Sequence, residues 1–282
     1  MNEEQIVARA QQLVTARREQ RGAPPGISRG VLTLLGLTLL VLLAILLFPA
    51  PLSQKLFWAM GGVCGLRPAH SYFAGSVQLP LEARMTGIYG GVSITLGWLL
   101  ATRRFGATRL GSRAVLALLA LMFLSVVADG MNSTFTDIGL AHPYTSTNIT
   151  RIVTGLLSGV SIAAVVAWVV AAVARPTVRP PQRLFRAPHE LLAPLGLCAL
   201  FGLLVVSQQP WGYEPIALLS VGGVVLTVAG SLLLPVLLIG GWSNRVSAPR
   251  LLVGPGTLAL LLAFALLAAT ASFRWNTIGI LG

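Results

Sequence analysis

The chain has 282 residues, 55% of them hydrophobic and only 10% charged, with a mean hydropathy of +0.80. An ordinary soluble domain carries roughly 25% charged residues, so this composition excludes one and points to lipid as the solvent for most of the chain. The net charge of +12 lies in the gaps between apolar runs, where it reads as membrane topology and attraction to anionic lipid rather than as nucleic-acid binding.

The N-terminal segment 1–29 is polar. Residues 3–20 are expected to form an amphipathic cytoplasmic helix, capped by Asn2 with Gln5 three positions on, and carrying Ile6, Ala10, Leu13 and Val14 on one stripe among Arg9, Arg17 and Arg18. Such a helix is either a docking element for a partner or the inner leaflet, or a solvated tail. Pro24–Pro25 then forbid helix continuation.

A span needs about 20 apolar residues at a rise of about 1.5 Å each. Seven runs come close: Gly30–Pro49, Met85–Ala101, Ala114–Gly130, Ile152–Ala174, Leu191–Val206, Ile216–Ile239 and Leu251–Ala271. The expected fold is therefore all-α, a polytopic transmembrane helix bundle of about seven spans. Arginine distribution orients it. With the N-terminus cytoplasmic, the inner segments hold Arg9, Arg17, Arg18, Arg21, Arg29, Arg103, Arg104, Arg109, Arg113, Arg175, Arg179, Arg183, Arg186, Arg245 and Arg250. The outer ones hold only Lys55, Arg67, Arg84, Arg151 and Arg274. Lys and Arg resist translocation, so this asymmetry places the C-terminus outside.

Between the spans, the outer segment Ala50–Arg84 is long, and residues 53–64 are expected to form a short interfacial or re-entrant helix with Ser53 as its cap and Trp58 at headgroup depth. The second outer segment, Met131–Arg151, is rich in Ser, Thr and Asn. Outer connections of this length are usually functional or interactive. The basic, proline-rich linker 175–190 divides a four-span core, 30–174, from a three-span C-terminal unit, 191–282.

Polar residues gather at the outer ends of spans two to four: Arg84, Asp129, Asn148 and Arg151. Ionisable groups near hydrocarbon are costly unless paired or wet and mark functional sites by default. Asp129 with either Arg84 or Arg151 is the natural ion pair; the alternative to a functional site is a structural lock of helix ends with snorkelling arginines. Gly155-x-x-x-Gly159 is a small-residue pair suited to close helix packing.

At these same residues the sequence resembles the family called domain of unknown function 2085, small prokaryotic membrane proteins. The stretch Val63–Gly91 carries Cys64, Pro68, Ser71–Tyr72, Gln78–Leu79–Pro80, Ala83–Arg84 and Thr86–Gly87–Ile88–Tyr89 in the family's order. Downstream, Asp129–Gly130, Ser146–Thr147–Asn148, Arg151, Thr154–Gly155 and Gly159 continue the likeness, which covers about residues 55–170. The family's pattern has His after the first Cys, then a Cys-x-x-Cys; here those positions are Gly65, Glu82 and Met85. Of a set that would suit zinc, only Cys64 survives, with His70 and Glu82 as a degenerate remnant. The resemblance leaves a polar cluster of Gln78, Arg84, Thr86, Tyr89, Asp129, Asn148 and Arg151 under the outer loops. It implies a plasma-membrane protein of a prokaryote.

No nucleophile elbow, phosphate loop, His-Glu-x-x-His or array of paired carboxylates is present, so no catalytic residue, metal or cofactor is expected; an apolar groove for lipid, quinone or pigment would leave no motif. The expected role is a non-catalytic subunit or interaction component of a membrane complex, contacting the bilayer and either a membrane-protein partner or further copies of itself. The alternative is a small-solute or ion transporter, or a membrane enzyme, working through the polar cluster.

Overall fold

A computed structural model describes Arg9 and residues 29–175, 182–246 and 249–277. The expected helix at 3–20 falls almost wholly outside the described residues. Within them the order is α1 (Arg29–Leu47), α2 (Leu52–Met60), β1 (Ser71–Ala74), β2 (Val77–Glu82), α3 (Ala83–Ala101), α4 (Arg113–Asp137), α5 (Asn148–Ala174), α6 (Leu192–Ser207), α7 (Tyr213–Ile239) and α8 (Val253–Thr277). Four short 3₁₀ turns, at Pro68–His70, Pro188–Leu191, Pro210–Gly212 and Pro249–Leu252, each begin on a proline, whose fixed φ suits a helix start and whose missing N–H costs nothing there.

Among the described residues five helices are long and apolar enough to cross a membrane: α4, α5, α6 with its leading turn, α7 with its leading turn, and α8. The two other expected spans coincide with α1, whose apolar stretch Val31–Ile45 is shorter, and with α3. The latter is less apolar for a packing reason. It lies between α5 and α7 and also touches α6, so most of its surface meets protein, and small groups serve it better than bulky apolar ones.

Glycine sets that packing. Gly87 and Gly91 of α3 face Gly155 and Gly159 of α5, the most extensive helix seam in the molecule. A Cβ on Gly87 would stand 2.5 Å from the Ile152 carbonyl oxygen, and one on Gly91 would stand 2.8 Å from that of Leu156. The glycine pair read from α5 thus has a matching pair on α3, which lets the two backbones touch. On the other side of α3, a Cβ on Gly223 of α7 would collide with the Tyr89 carbonyl. Helix α1, by contrast, packs chiefly on α8 and exposes Leu32, Leu39, Leu40 and Leu47.

The all-α expectation fails in one place. Part of the connection between α2 and α3 folds into the antiparallel hairpin β1–β2, pairing Ala74 with Val77 across Gly75–Ser76. Gly75 has φ +63°, and glycine first in a two-residue hairpin loop is the signature of a type II′ turn. The loop helix is also corrected: α2 starts at Leu52 behind Pro51, Ser53 lies inside it rather than capping it, and residues 61–64 turn away.

The opposite end of the bundle, where α3 ends and α6 begins, is tied by a separate knot. The 182–185 segment pairs with Arg109 and Leu110, through Arg109 N–H to the Gln182 carbonyl (3.0 Å) and Leu184 N–H to that of Arg109 (2.8 Å). Arg104 forks onto both Glu190 oxygens and lies over the Trp98 ring, which stacks on Phe185 at 5.5 Å. The end of α3 is thereby fixed to the start of α6.

Candidate functional site: a buried polar cluster at the ends of three helices

Helix α4 runs past the expected end at Gly130 as far as Asp137, so Asp129 lies two turns inside it and is wholly buried. A buried carboxylate is tolerated only if its charge is paired and its lone pairs are filled. Both conditions hold. Arg84, in the first turn of α3, donates from Nη2 to Asp129 Oδ2 at 2.6 Å and to the Asp129 carbonyl at 3.2 Å. Oδ1 accepts from Tyr144 Oη at 2.9 Å and from Ser146 Oγ at 3.1 Å. Thr154 Oγ1 stands 3.5 Å from Oδ2, its stronger bond returning to the Thr150 carbonyl at 2.8 Å.

Of the two possible partners, then, Asp129 takes Arg84. Arg151, one turn into α5 and 7% exposed, donates instead to Asn148 Oδ1 and to Ser133 Oγ, both at 3.0 Å. Asn148 in turn donates to the carbonyls of Ala69 and Ser71, each at 3.3 Å, fastening the start of α5 to the hairpin. Gln78 closes the base of the hairpin through the Leu66 carbonyl (2.9 Å) and Ser71 Oγ (3.0 Å). Buried Thr86 donates to the Leu81 carbonyl at 3.0 Å and fixes the strand-to-helix junction. Tyr89 does not join this group; it packs with Met60, Cys64, Leu81 and Val224 on the far side of α3.

Five participants were not singled out from the sequence as site residues: Asn132, Ser133, Tyr144, Ser146 and Thr154, of which Ser146 and Thr154 entered only as parts of the family-like motifs. Asn132 donates to the Tyr144 carbonyl at 2.6 Å and to Ser146 Oγ at 3.2 Å, so it positions both hydroxyls that reach Asp129. Burial together with the Asp129 carboxylate pushes the Tyr144 phenol up, which keeps it protonated and donating. The available signal was the density of Asn, Ser and Thr in residues 131–151, where a helix continuing past Gly130 would bring them onto one end of α4.

An outer layer surrounds the cluster. Arg67 bridges Glu82 (3.3 Å) and Asp137 (3.2 Å), and His70 Nε2 stands 3.8 Å from Asp137. Burial, with Arg151 and Arg67 nearby, holds the His70 imidazole below its ordinary value; desolvation and two cations outweigh the opposing carboxylates of Asp137 and Glu82. The three remnant residues do not form a ligand set. Glu82 is engaged by Arg67 through Nε and the backbone N–H, His70 faces Asp137, and burial pushes the Cys64 thiol up, away from the thiolate a metal needs. Among the described residues no group of three or more His, Cys, Asp or Glu could hold a metal ion. The positions Cys64, Gly65, Glu82 and Met85 do come together: a Cβ on Gly65 would stand 2.8 Å from Glu82 Oε1, and Cys64 and Met85 pack in one cluster.

Apolar helices around a buried ion pair, capped by polar loops, define a multi-pass helical membrane protein. Residues 64–165 match the model of the family described as predicted membrane protein (DUF2085), the same family the motifs resemble. The match takes in a little over a third of the chain and contains the whole polar cluster; α6, α7 and α8 lie beyond it. No curated protein and no solved structure matches the chain.

Proposed function

We propose that this protein is a non-catalytic integral membrane component, a subunit or interaction partner within a membrane complex, and that its polar cluster is a structural lock. The observation that carries this reading is Asp129: fully buried, paired with Arg84, and filled on its other oxygen by Tyr144 and Ser146. A proton or solute carrier needs a carboxylate that exchanges partners, and this one has its partners already. Gln78, Thr86, Asn148 and Arg151 act with it, binding the hairpin, α3, α4 and α5 into one cap. Tyr89 belongs to the neighbouring apolar packing.

The same reading takes seven spans, counting α1 and α3, with the N-terminus in the cytoplasm of a prokaryotic cell and the C-terminus outside the plasma membrane. Its support is the arginine asymmetry and the position of α3, which is surrounded by helices. Residues 30–174 and 191–282 are sequence units that pack as neighbours, α3 against α7. The thinly packed, leucine-rich α1 is the surface offered to a partner or to a second copy.

Reconstituted vesicles test this. Wild-type protein should give no protein-dependent flux of protons, alkali cations or small solutes, while chemical cross-linking in the native membrane captures a fixed partner or a second copy through α1. A flux that Asp129→Asn abolishes, in a variant that still assembles, would overturn the proposal in favour of transport.

A further inference from the structure

The end of α8 carries a cation whose partners are all neutral. Arg274 donates from Nη1 to the carbonyls of Gly61 (3.0 Å) and Cys64, and from Nη2 to that of Gly65 (2.8 Å). Its ring neighbour is Trp275, 5.6 Å away, whose indole N–H donates to the Trp58 carbonyl at 2.9 Å. Among the described residues no carboxylate lies within ion-pair distance of Arg274. A guanidinium has five N–H donors. Three are spent on the carbonyls, leaving Nε–H and one N–H of Nη2, the side-on pair with which arginine takes two oxygens of a phosphate.

Beside this cation lies an open groove of about 610 Å³, bounded by the 61–65 turn on one side and by Ala269, Thr270, Phe273 and Arg274 of α8 on the other. Its lining is mainly apolar, and Phe273 is 68% exposed. Trp58, Trp275 and Arg274 stand together here, and tryptophan and arginine are residues that settle at the boundary between headgroups and acyl chains.

We propose that this groove binds one anionic phospholipid, its phosphate on the free edge of Arg274 and an acyl chain along Ala269 and Phe273. Charge complementarity selects the headgroup: the lining supplies a cation and no acid, and the carboxylate behind Gly65, that of Glu82, is engaged by Arg67. The apolar wall selects a lipid over free phosphate, which would leave that wall uncovered. The site is independent of the Asp129 cluster, so it stands or falls separately from the lock.

Native mass spectrometry of the full chain, released from mild detergent and titrated with dioleoyl phosphatidylglycerol or dioleoyl phosphatidylcholine, reads the binding directly. Wild type should retain one phosphatidylglycerol at least tenfold more strongly than phosphatidylcholine. Arg274→Gln should lose that preference. Because Arg274 also holds the 61–65 turn, Ala269→Phe provides the second test: it fills the groove, leaves the arginine in place and should also lose the retained lipid. Equal retention of the two lipids, unchanged retention in Ala269→Phe, or displacement of the lipid by millimolar inorganic phosphate would each overturn the proposal.

Discussion

Replacing Arg84 and Asp129 singly and together measures the lock. Arg84→Met leaves a carboxylate with no exposed surface and only hydroxyl donors, Tyr144 and Ser146 with the longer contact from Thr154. Removing one partner of a buried pair costs about 3–5 kcal/mol, and this variant should fall near the middle of that range. Asp129→Leu leaves a guanidinium whose side chain is 22% exposed; it can turn partly to water, so the loss should be smaller, about 2–3 kcal/mol. The double variant removes both charges. Apolar replacements for a buried pair are often neutral, but the Tyr144 and Ser146 hydroxyls lose their acceptor at about 1 kcal/mol each, so the pair together should cost only about 2 kcal/mol. The two single losses therefore sum to several kcal/mol more than the double. Equilibrium unfolding in mixed micelles, followed by circular dichroism, gives all four corners of the cycle. Additive single losses would show that the two groups do not depend on each other, and the lock would be refuted.

Three further outcomes follow from the same packing and electrostatics. Gly223→Ala puts a methyl group against the Tyr89 backbone carbonyl, which cannot swing aside, so stability should fall by about 1–3 kcal/mol; Gly36→Ala, with nothing within 4 Å, should be neutral or slightly stabilising by the same unfolding measurement. His70 has a folded value depressed below the ordinary imidazole value of about 6.5, so the folded state binds fewer protons than the unfolded one. Its contribution is fully present above about pH 6.5 and is lost as pH falls through the folded value, and melting temperatures from pH 8 to 5 should show a decline that His70→Gln flattens. Combining Gly65→His, Glu82→Cys and Met85→Cys with the existing Cys64 gathers four zinc-type ligands; metal analysis should find about one zinc per chain, and a metal-free result would show that these positions do not converge closely enough to chelate.

Periodicity and composition made the helices legible because the bilayer imposes a length and an apolar character on anything that crosses it. That is why α4 to α8 stand close to where the apolar runs placed them. The same rule weakens where a helix is solvated by protein. Gly87, Gly90, Gly91 and Thr95 make α3 poor in hydrophobicity because it needs close approach, and Gly223 on α7 serves the same contact. The hairpin was legible in principle. Gly75–Ser76 between Ser71–Ala74 and Val77–Glu82 is a two-residue turn signal, but a loop between spans is short of the alternating pattern that would have announced two strands.

The sequence grouped Arg84, Asp129, Asn148 and Arg151 with Tyr89, which packs elsewhere, and it left open how the charges are wired. Asp129, Arg84 and Arg151 stand out because a charge beside hydrocarbon needs an explanation; which arginine meets the carboxylate depends on helix rotation, which spacing alone leaves open. The seam of Gly87 and Gly91 with Gly155 and Gly159 settles it. By drawing α3 onto α5 it fixes the rotation at which Arg84, one turn before Gly87, reaches α4, while Arg151 turns to Ser133 and to Asn148 on its own helix. The glycine motif and the ionic motif share the same helix: the first brings α3 onto α5, and the second joins α3 to α4 at that approach. Widening the seam should break the ion pair before it unfolds any helix. Gly159→Leu should therefore lower the stability of the Arg84 and Asp129 background by the packing cost plus the pair's coupling, yet lower that of the Arg84→Met/Asp129→Leu background by the packing cost alone. Equal losses in the two backgrounds would mean that the seam and the lock are independent.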